Sequence, residues 1–253
     1  MPDNTAQKNS PSYRLAALDR DFILGDSNRG VRFMLEYQKA EDNLRARGIL
    51  STIVVFGSAR VREGERWYEA ARQFARIASE RGGALEPGAS GRHHVIATGG
   101  GPGIMEAANR GAGEAGAVSI GFNITLPHEQ EPNAFSTPDL TFRFHYFAIR
   151  KMHLAMRAAA LVAFPGGFGT LDELFEIMTL TQTGKMPPVP IVLYDSGFWK
   201  GLLDLKRMAE AGFIRKEDLA LFCYADTPEE AYARIVAGAG DGWTPAAADS
   251  VQT

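Results

Sequence analysis

Apolar positions along this chain follow two alternating rhythms. Short unbroken runs at residues 52–56 (TIVVF), 94–98, 118–122, 160–164 and 189–194 are rich in β-branched and other apolar side chains. Between them lie longer stretches in which apolar residues recur every three or four positions: 67–81, 104–115, 148–158, 171–183 and 198–211. The first pattern predicts strands buried on both faces, and the second predicts amphipathic helices. Glycines stop several of the helices, at Gly82-Gly83 and Gly116 among others. A further strand at 141–147, a short one at 221–224 and a last helix at 228–236 complete the series. Strands alternating with helices predict an α/β fold: a Rossmann-like, doubly wound parallel sheet with helices on both faces, in a single domain.

Outside this unit, residues 28–47 read as an amphipathic helix with Phe33, Tyr37 and Leu44 on or near one stripe and Gly48 as its stop. It lies ahead of the first core strand, so it is expected either to cover its own sheet or to pack on a partner subunit. The organisation expected is a disordered lead at 1–12, a helical extension at 13–50, the Rossmann-like unit at 51–237 and a flexible tail at 238–253.

In sheets of this kind ligands bind beyond the carboxyl ends of the strands. Three glycine-containing loops follow strands here and so share that edge: Gly57-Ser58-Ala59-Arg60, Gly99-Gly100-Gly101-Pro102-Gly103 and Pro165-Gly166-Gly167-Phe168-Gly169. A strand that breaks on Pro-Gly-Gly and restarts as a helix offers unpaired N–H groups to an anion, and glycine lets the backbone come close. The triple-glycine loop fits neither the dinucleotide fingerprint nor a Walker A loop, and by itself it reads equally well as a structural turn. Glu173 follows Thr170 by three positions; locally, a capping carboxylate and a functional acid both remain open. Arg150 and Lys151 open the preceding helix, where the macrodipole mildly disfavours cations. That placement hints at an anionic partner, though a solvated helix end is the plainer account.

Composition narrows the partners. A formal net charge of -3 gives no basic surplus for nucleic acid. No apolar run approaches the ~18 residues of a membrane span. The single cysteine, Cys223, cannot form an internal disulfide. These observations predict a soluble, cytoplasmic protein that binds neither nucleic acid nor membrane. His93 and His94 have no cysteine or carboxylate at ligand spacing, so no metal site is expected. His128, His145 and His153 lack a Gly-x-Ser-x-Gly partner, and no lysine stands in a distinctive Schiff-base setting.

The nonapeptide PGGFGTLDE, with Arg150-Lys151 upstream and GGGPGIMEAANRGA before it, resembles the LOG (Lonely Guy) family of nucleoside 5′-monophosphate phosphoribohydrolases. Arg150 precedes Glu173 by 23 positions, the separation expected of that family, and the similarity extends over roughly residues 52–236. Glu106 stands where short plant-type members usually have glycine, and GFNITLPHEQEPN follows the next strand. Both features look like a longer bacterial branch.

The resemblance implies cleavage of the N-glycosidic bond of a cytokinin riboside monophosphate or an AMP-like nucleotide, with no cofactor and no metal. It implies Arg150 and Glu173 as catalytic residues. It further implies that Ser58, Gly100, Gly101, Gly103, Lys151, Gly166, Gly167, Gly169 and Thr170 bind substrate or its phosphate. A homodimer or higher homo-oligomer is implied as well. The competing expectation is a nucleotide sensor, or a binding protein like the molybdenum-cofactor carriers, with the same cradle and no turnover. Relatives often carry a lysine decarboxylase label, which nothing in the sequence supports.

Overall fold

The computed structural model describes residues 2–126 and 131–239. Of the expected tail at 238–253, residues 238 and 239 end the last helix, while 240–253 and His128 lie outside the described residues. One sheet holds β1 (Thr52–Phe56), β2 (Val95–Thr98), β3 (Ser119–Ile124), β4 (Thr141–Phe144), β5 (Ala158–Ala163), β6 (Ile191–Tyr194) and β7 (Cys223–Ala225). The order is β4-β3-β2-β1-β5-β6-β7, and every pairing is parallel. The chain builds outward in one direction from β1 and then returns to start again at β5, as a doubly wound sheet does.

Burial follows from the two-residue period of the strands. In β1, Ile53 and Val55 enter one core layer, while Val54 and Phe56 enter the other. The first layer is closed by α2 (Arg66–Arg81), α3 (Ile104–Glu114) and α8 (Pro228–Ala239), through residues such as Phe74, Ala108 and Ile235. The second is closed by α1 (Arg29–Ala46), α4 (Phe147–Met156) and α5 (Phe168–Gln182), through Leu44, Leu154 and Leu174. The two short helices α6 (Ser196–Leu202) and α7 (Leu205–Glu210) follow β6, and Trp199 of α6 is also buried in the second layer. Helix α1 therefore covers its own sheet, with Ala40, Glu41 and Leu44 buried. Phe33, expected on that stripe, is 37% exposed.

Several boundaries differ from expectation for identifiable reasons. The helix expected at 198–211 is two helices, because Asp204 turns its carboxylate onto the Arg207 N–H at 2.9 Å and starts a new one. β4 stops at Phe144, and α4 begins at Phe147. The lead read as disordered carries a helix at Thr5–Lys8 and a 3₁₀ turn at Pro11–Tyr13, neither with a buried residue. Among the described residues no helix is long and apolar enough to cross a membrane.

Candidate functional site

Strands β1 and β5 are neighbours, but the chain leaves them toward opposite faces of the sheet. Their following loops diverge and open a cleft of about 640 Å³ at the topological switch point. Its floor and walls come from the loop 57–60, the loop and first two turns at 166–173, Arg150 of α4, and the side chains of Met105, Phe147, Phe198 and Leu202. Ser58 ties the loops together. Its N–H donates to the Pro165 carbonyl at 3.0 Å, and its own carbonyl accepts from the Ile104 N–H at 3.1 Å.

One end of the cleft is built by the start of α5. Gly167 is its N-cap residue in an extended conformation; no side chain caps the helix and no acid stands in its first turn. The leading N–H groups of this helix therefore have no side-chain acceptor, an arrangement that in general suits an anion at a helix start. Around Gly167 and Gly169 a β-carbon would meet nothing within 4 Å, so the absent side chains keep the helix end open. Gly166 is different: a β-carbon there would collide with the Thr170 hydroxyl and lie 3.0 Å from the Ser58 nitrogen. Gly166→Ala is expected to cost about 1–3 kcal/mol of stability by overpacking. Thermal unfolding measures this, with the unobstructed Gly201→Ala as the comparison.

Deeper in, Arg150 and Glu173 meet. Glu173 is 4% exposed and Arg150 8%. The Arg150 Nη1 lies 3.4 Å from Glu173 Oε1, and its Nε donates to the Phe122 carbonyl at 2.8 Å. Room for the guanidinium comes from Gly99, where a β-carbon would sit 2.6 Å from Nη2. Burial pushes the Glu173 carboxyl up to about 7; Arg150 and Lys151 pull it down, and Glu176 and Asp172 add to the rise. Burial likewise draws Arg150 below its ordinary value. The single long contact between them leaves both groups with unfilled hydrogen-bonding capacity, although each is buried. Glu173 is not a cap: α5 begins at Phe168, three residues earlier than expected, which puts Glu173 in the second turn.

Ser58, Gly166, Gly167, Gly169 and Thr170 line this cleft with Arg150 and Glu173. Thr170 is nearly buried, its hydroxyl against Gly166. Lys151 does not line the cleft. Its ammonium bridges Asp172 at 2.9 Å and Glu176 at 3.1 Å, clamping α4 to α5 beside a separate shallow depression. Gly100, Gly101 and Gly103 also stay out of the lining. Gly100 has φ 71° and packs on Asn123, and Gly103, also at φ 71°, packs under the Ser58 carbonyl, so these glycines let the loops nest. His94 Nδ1 faces the Gly82 carbonyl at 2.6 Å.

The sequence reading missed Met105, Phe147, Phe198 and Leu202, whose helical apolar pattern is that of any core residue. It also missed Asn109, whose side chain joins Thr98 (2.7 Å) to Ser119 (3.0 Å) behind the loops. A lone asparagine on the apolar face of a helix was the available signal.

Comparison with known proteins gives a consistent result. The family model described as possible lysine decarboxylase matches residues 105–235, just over half of the chain. A probable cytokinin riboside 5′-monophosphate phosphoribohydrolase, LOGL2 of Oryza sativa subsp. japonica, is 37% identical over 83 residues, covering 32% of this chain and 34% of that protein. The cytokinin riboside 5′-monophosphate phosphoribohydrolase LOG4 of Arabidopsis thaliana is 36% identical over 83 residues, 32% of this chain and 38% of that one. A probable rice counterpart, also called LOG4, is 29% identical over 149 residues, covering 57% of this chain and 63% of its own. The chain thus spans between about a third and somewhat under two-thirds of these relatives. Among solved structures, TM1055 superposes with a TM-score of 0.51 at 19% identity, over 72% of this chain and 96% of that one, which shows a shared fold.

Proposed function

The chain belongs to the LOG family, and on that premise we propose that it hydrolyses the N-glycosidic bond of a nucleoside 5′-monophosphate, giving free base and ribose 5-phosphate. The observation that carries the reading is a buried carboxyl, Glu173, raised to about 7 and paired loosely with Arg150 next to an uncapped helix end. The 5′-phosphate would sit on the N–H groups at the start of α5, through Gly167, Gly169 and Thr170. The apolar side chains of Met105, Phe147, Phe198 and Leu202 offer a nucleobase an apolar surface.

Between these ends, the ribose C1′ would lie near Glu173. As the C1′–N bond lengthens, positive charge builds on the sugar and electrons pass to the base. The Glu173 carboxylate stabilises that charge, holds the ribose hydroxyls and accepts a proton from the water that adds to C1′, and that proton then passes to the base nitrogen that took the bonding electrons. Arg150 donates a hydrogen bond toward the substrate or the departing base. A group titrating near neutral pH suits such a proton-transfer role.

Lysine decarboxylation finds no counterpart in this cleft. Among the described residues its lining holds no lysine, and Lys151 is held away from it by Asp172 and Glu176.

The test is incubation of the purified protein with AMP, GMP, CMP, UMP and isopentenyl-AMP, with chromatography of released base. Base is expected from at least one of them, with adenosine cleaved at least about a hundredfold more slowly than AMP because it lacks the anchored phosphate. Nucleotide binding without base release from any of the five would instead favour a sensor or carrier.

A further inference from the structure

Helix α4, which carries Arg150, is deficient at its own start. No side chain within it caps the helix, its first turn holds no acid, and Arg150 and Lys151 follow closely. The macrodipole opposes such cations, and the leading N–H groups need acceptors. Helix α1 supplies an acceptor and a negative charge at this end, to the two N–H groups just ahead of the first helical residue, Phe147. Glu36, half-buried, accepts from the His145 N–H at 2.8 Å and from the Tyr146 N–H at 3.2 Å. Around it, Arg32 Nε donates to the Tyr146 hydroxyl at 2.9 Å, and the Phe33 ring meets that of Tyr146 edge-on at 4.4 Å.

The link from this contact to Arg150 is short. The Tyr146 carbonyl accepts the backbone N–H of Arg150 at 3.2 Å, so one residue carries both the Glu36 contact and the first hydrogen bond of the Arg150 turn. At its far end the Arg150 side chain bonds, among the described residues, to the Phe122 carbonyl and by the long contact to Glu173.

We propose that Glu36 is a positioning residue: it fixes the start of α4 and thereby places the Arg150 guanidinium against Glu173. Its consequence for catalysis rests on the reading of Arg150 and Glu173 given above; the placement itself does not. The N-terminal extension is then part of the catalytic apparatus, without itself touching the substrate.

Two measurements on the full chain test this, with Glu36→Ala and Glu36→Gln as the variants. The first is hydrogen exchange of the Arg150 Nε–H, followed by NMR with arginine labelled in nitrogen-15. In Glu36→Ala it is expected to exchange about tenfold faster or more, because its bond to the Phe122 carbonyl opens more often. The second is AMP cleavage, for which kcat is expected to fall by about tenfold to a hundredfold while KM stays within about twofold, as for misplacement of a reacting group. Glu36→Gln, with one neutral acceptor left, should recover part of both effects.

Asp42→Ala, an exposed acid on α1 that accepts only from Gln38, should change neither. A folded Glu36→Ala protein with native Arg150 exchange overturns the proposal, whatever its rate of cleavage. If the native chain cleaves no nucleotide, the functional reading fails while the exchange measurement still decides the placement. If Glu36→Ala does not fold, the same comparison is made with Glu36→Gln.

Discussion

Replacing Glu173 by glutamine is expected to lower nucleotide cleavage by about a thousandfold and, above pH 7, to make the protein more stable. The two effects have one cause. The carboxyl has an ordinary value of 4.5 and is pushed up to about 7 in the fold, chiefly by burial. At pH values between these the folded state holds a proton that the unfolded chain has released, so stability falls as pH rises from 4.5 toward 7. Above 7 the charge is present in both states and the full cost of burying it remains.

That cost is about 3 kcal/mol, or about 6–12 °C in the unfolding midpoint for a chain of this size. A neutral glutamine of the same shape avoids it. Thermal unfolding of both proteins should therefore coincide near pH 4 and separate at pH 8, with the variant higher. Equal or lower stability of the variant at pH 8 would mean that Arg150 fully compensates the buried charge, and the proton-transfer role assigned to Glu173 would lose its basis.

Much of this site was legible in the sequence because its essential parts are local. The TIVVF run forms β1 as read, and the Pro-Gly-Gly break does sit between a buried strand and a helix. Arg150 and Glu173 do meet. The position of the helix start was less legible: Gly169 has poor helix propensity, and tertiary context overrides it to begin α5 at Phe168. That shift alone decides between a cap and a second-turn acid.

Lys151 misled for a geometric reason. It adjoins Arg150 in sequence, but successive helical residues point about 100° apart. One reaches the cleft while the other reaches Asp172 and Glu176. The contacts of α1 were not legible at all. Glu36 and Glu41 meet partners 109 to 116 residues away, and no local pattern marks a carboxylate for a helix end or an arginine so remote.

Glu41 and Glu173 make an instructive pair. Each is almost wholly buried, 3% and 4% exposed, and each faces an arginine. Glu41 takes both arms of the Arg157 fork, at 2.8 and 2.9 Å, and a further donor from Arg45. There the hydrogen bonds from Arg157 outweigh burial, and the carboxyl is held below its ordinary value. Glu173 has one contact at 3.4 Å, and burial wins. Saturated pairing makes a structural clasp, whereas unsaturated pairing leaves a group able to exchange a proton and bind a substrate.

Breaking the clasp should therefore act with the opposite sign. Among the described residues, Glu41→Ala leaves the Arg157 guanidinium with the Ile49 carbonyl, 3.2 Å from its Nε, and is expected to cost about 3–5 kcal/mol at pH 7. Because the Glu41 value is lowered in the fold, its contribution is present above 4.5 and disappears as pH falls through the depressed folded value. Glu41→Gln, which keeps the volume, should show the loss at pH 7 and converge on the native protein in strong acid. Glu173→Gln converges from the opposite side. Denaturant unfolding across pH measures both curves. A Glu41→Gln protein as stable as the native at pH 7 would show that α1 is held by apolar packing of Ala40 and Leu44 alone, with the Arg157 pair contributing nothing net.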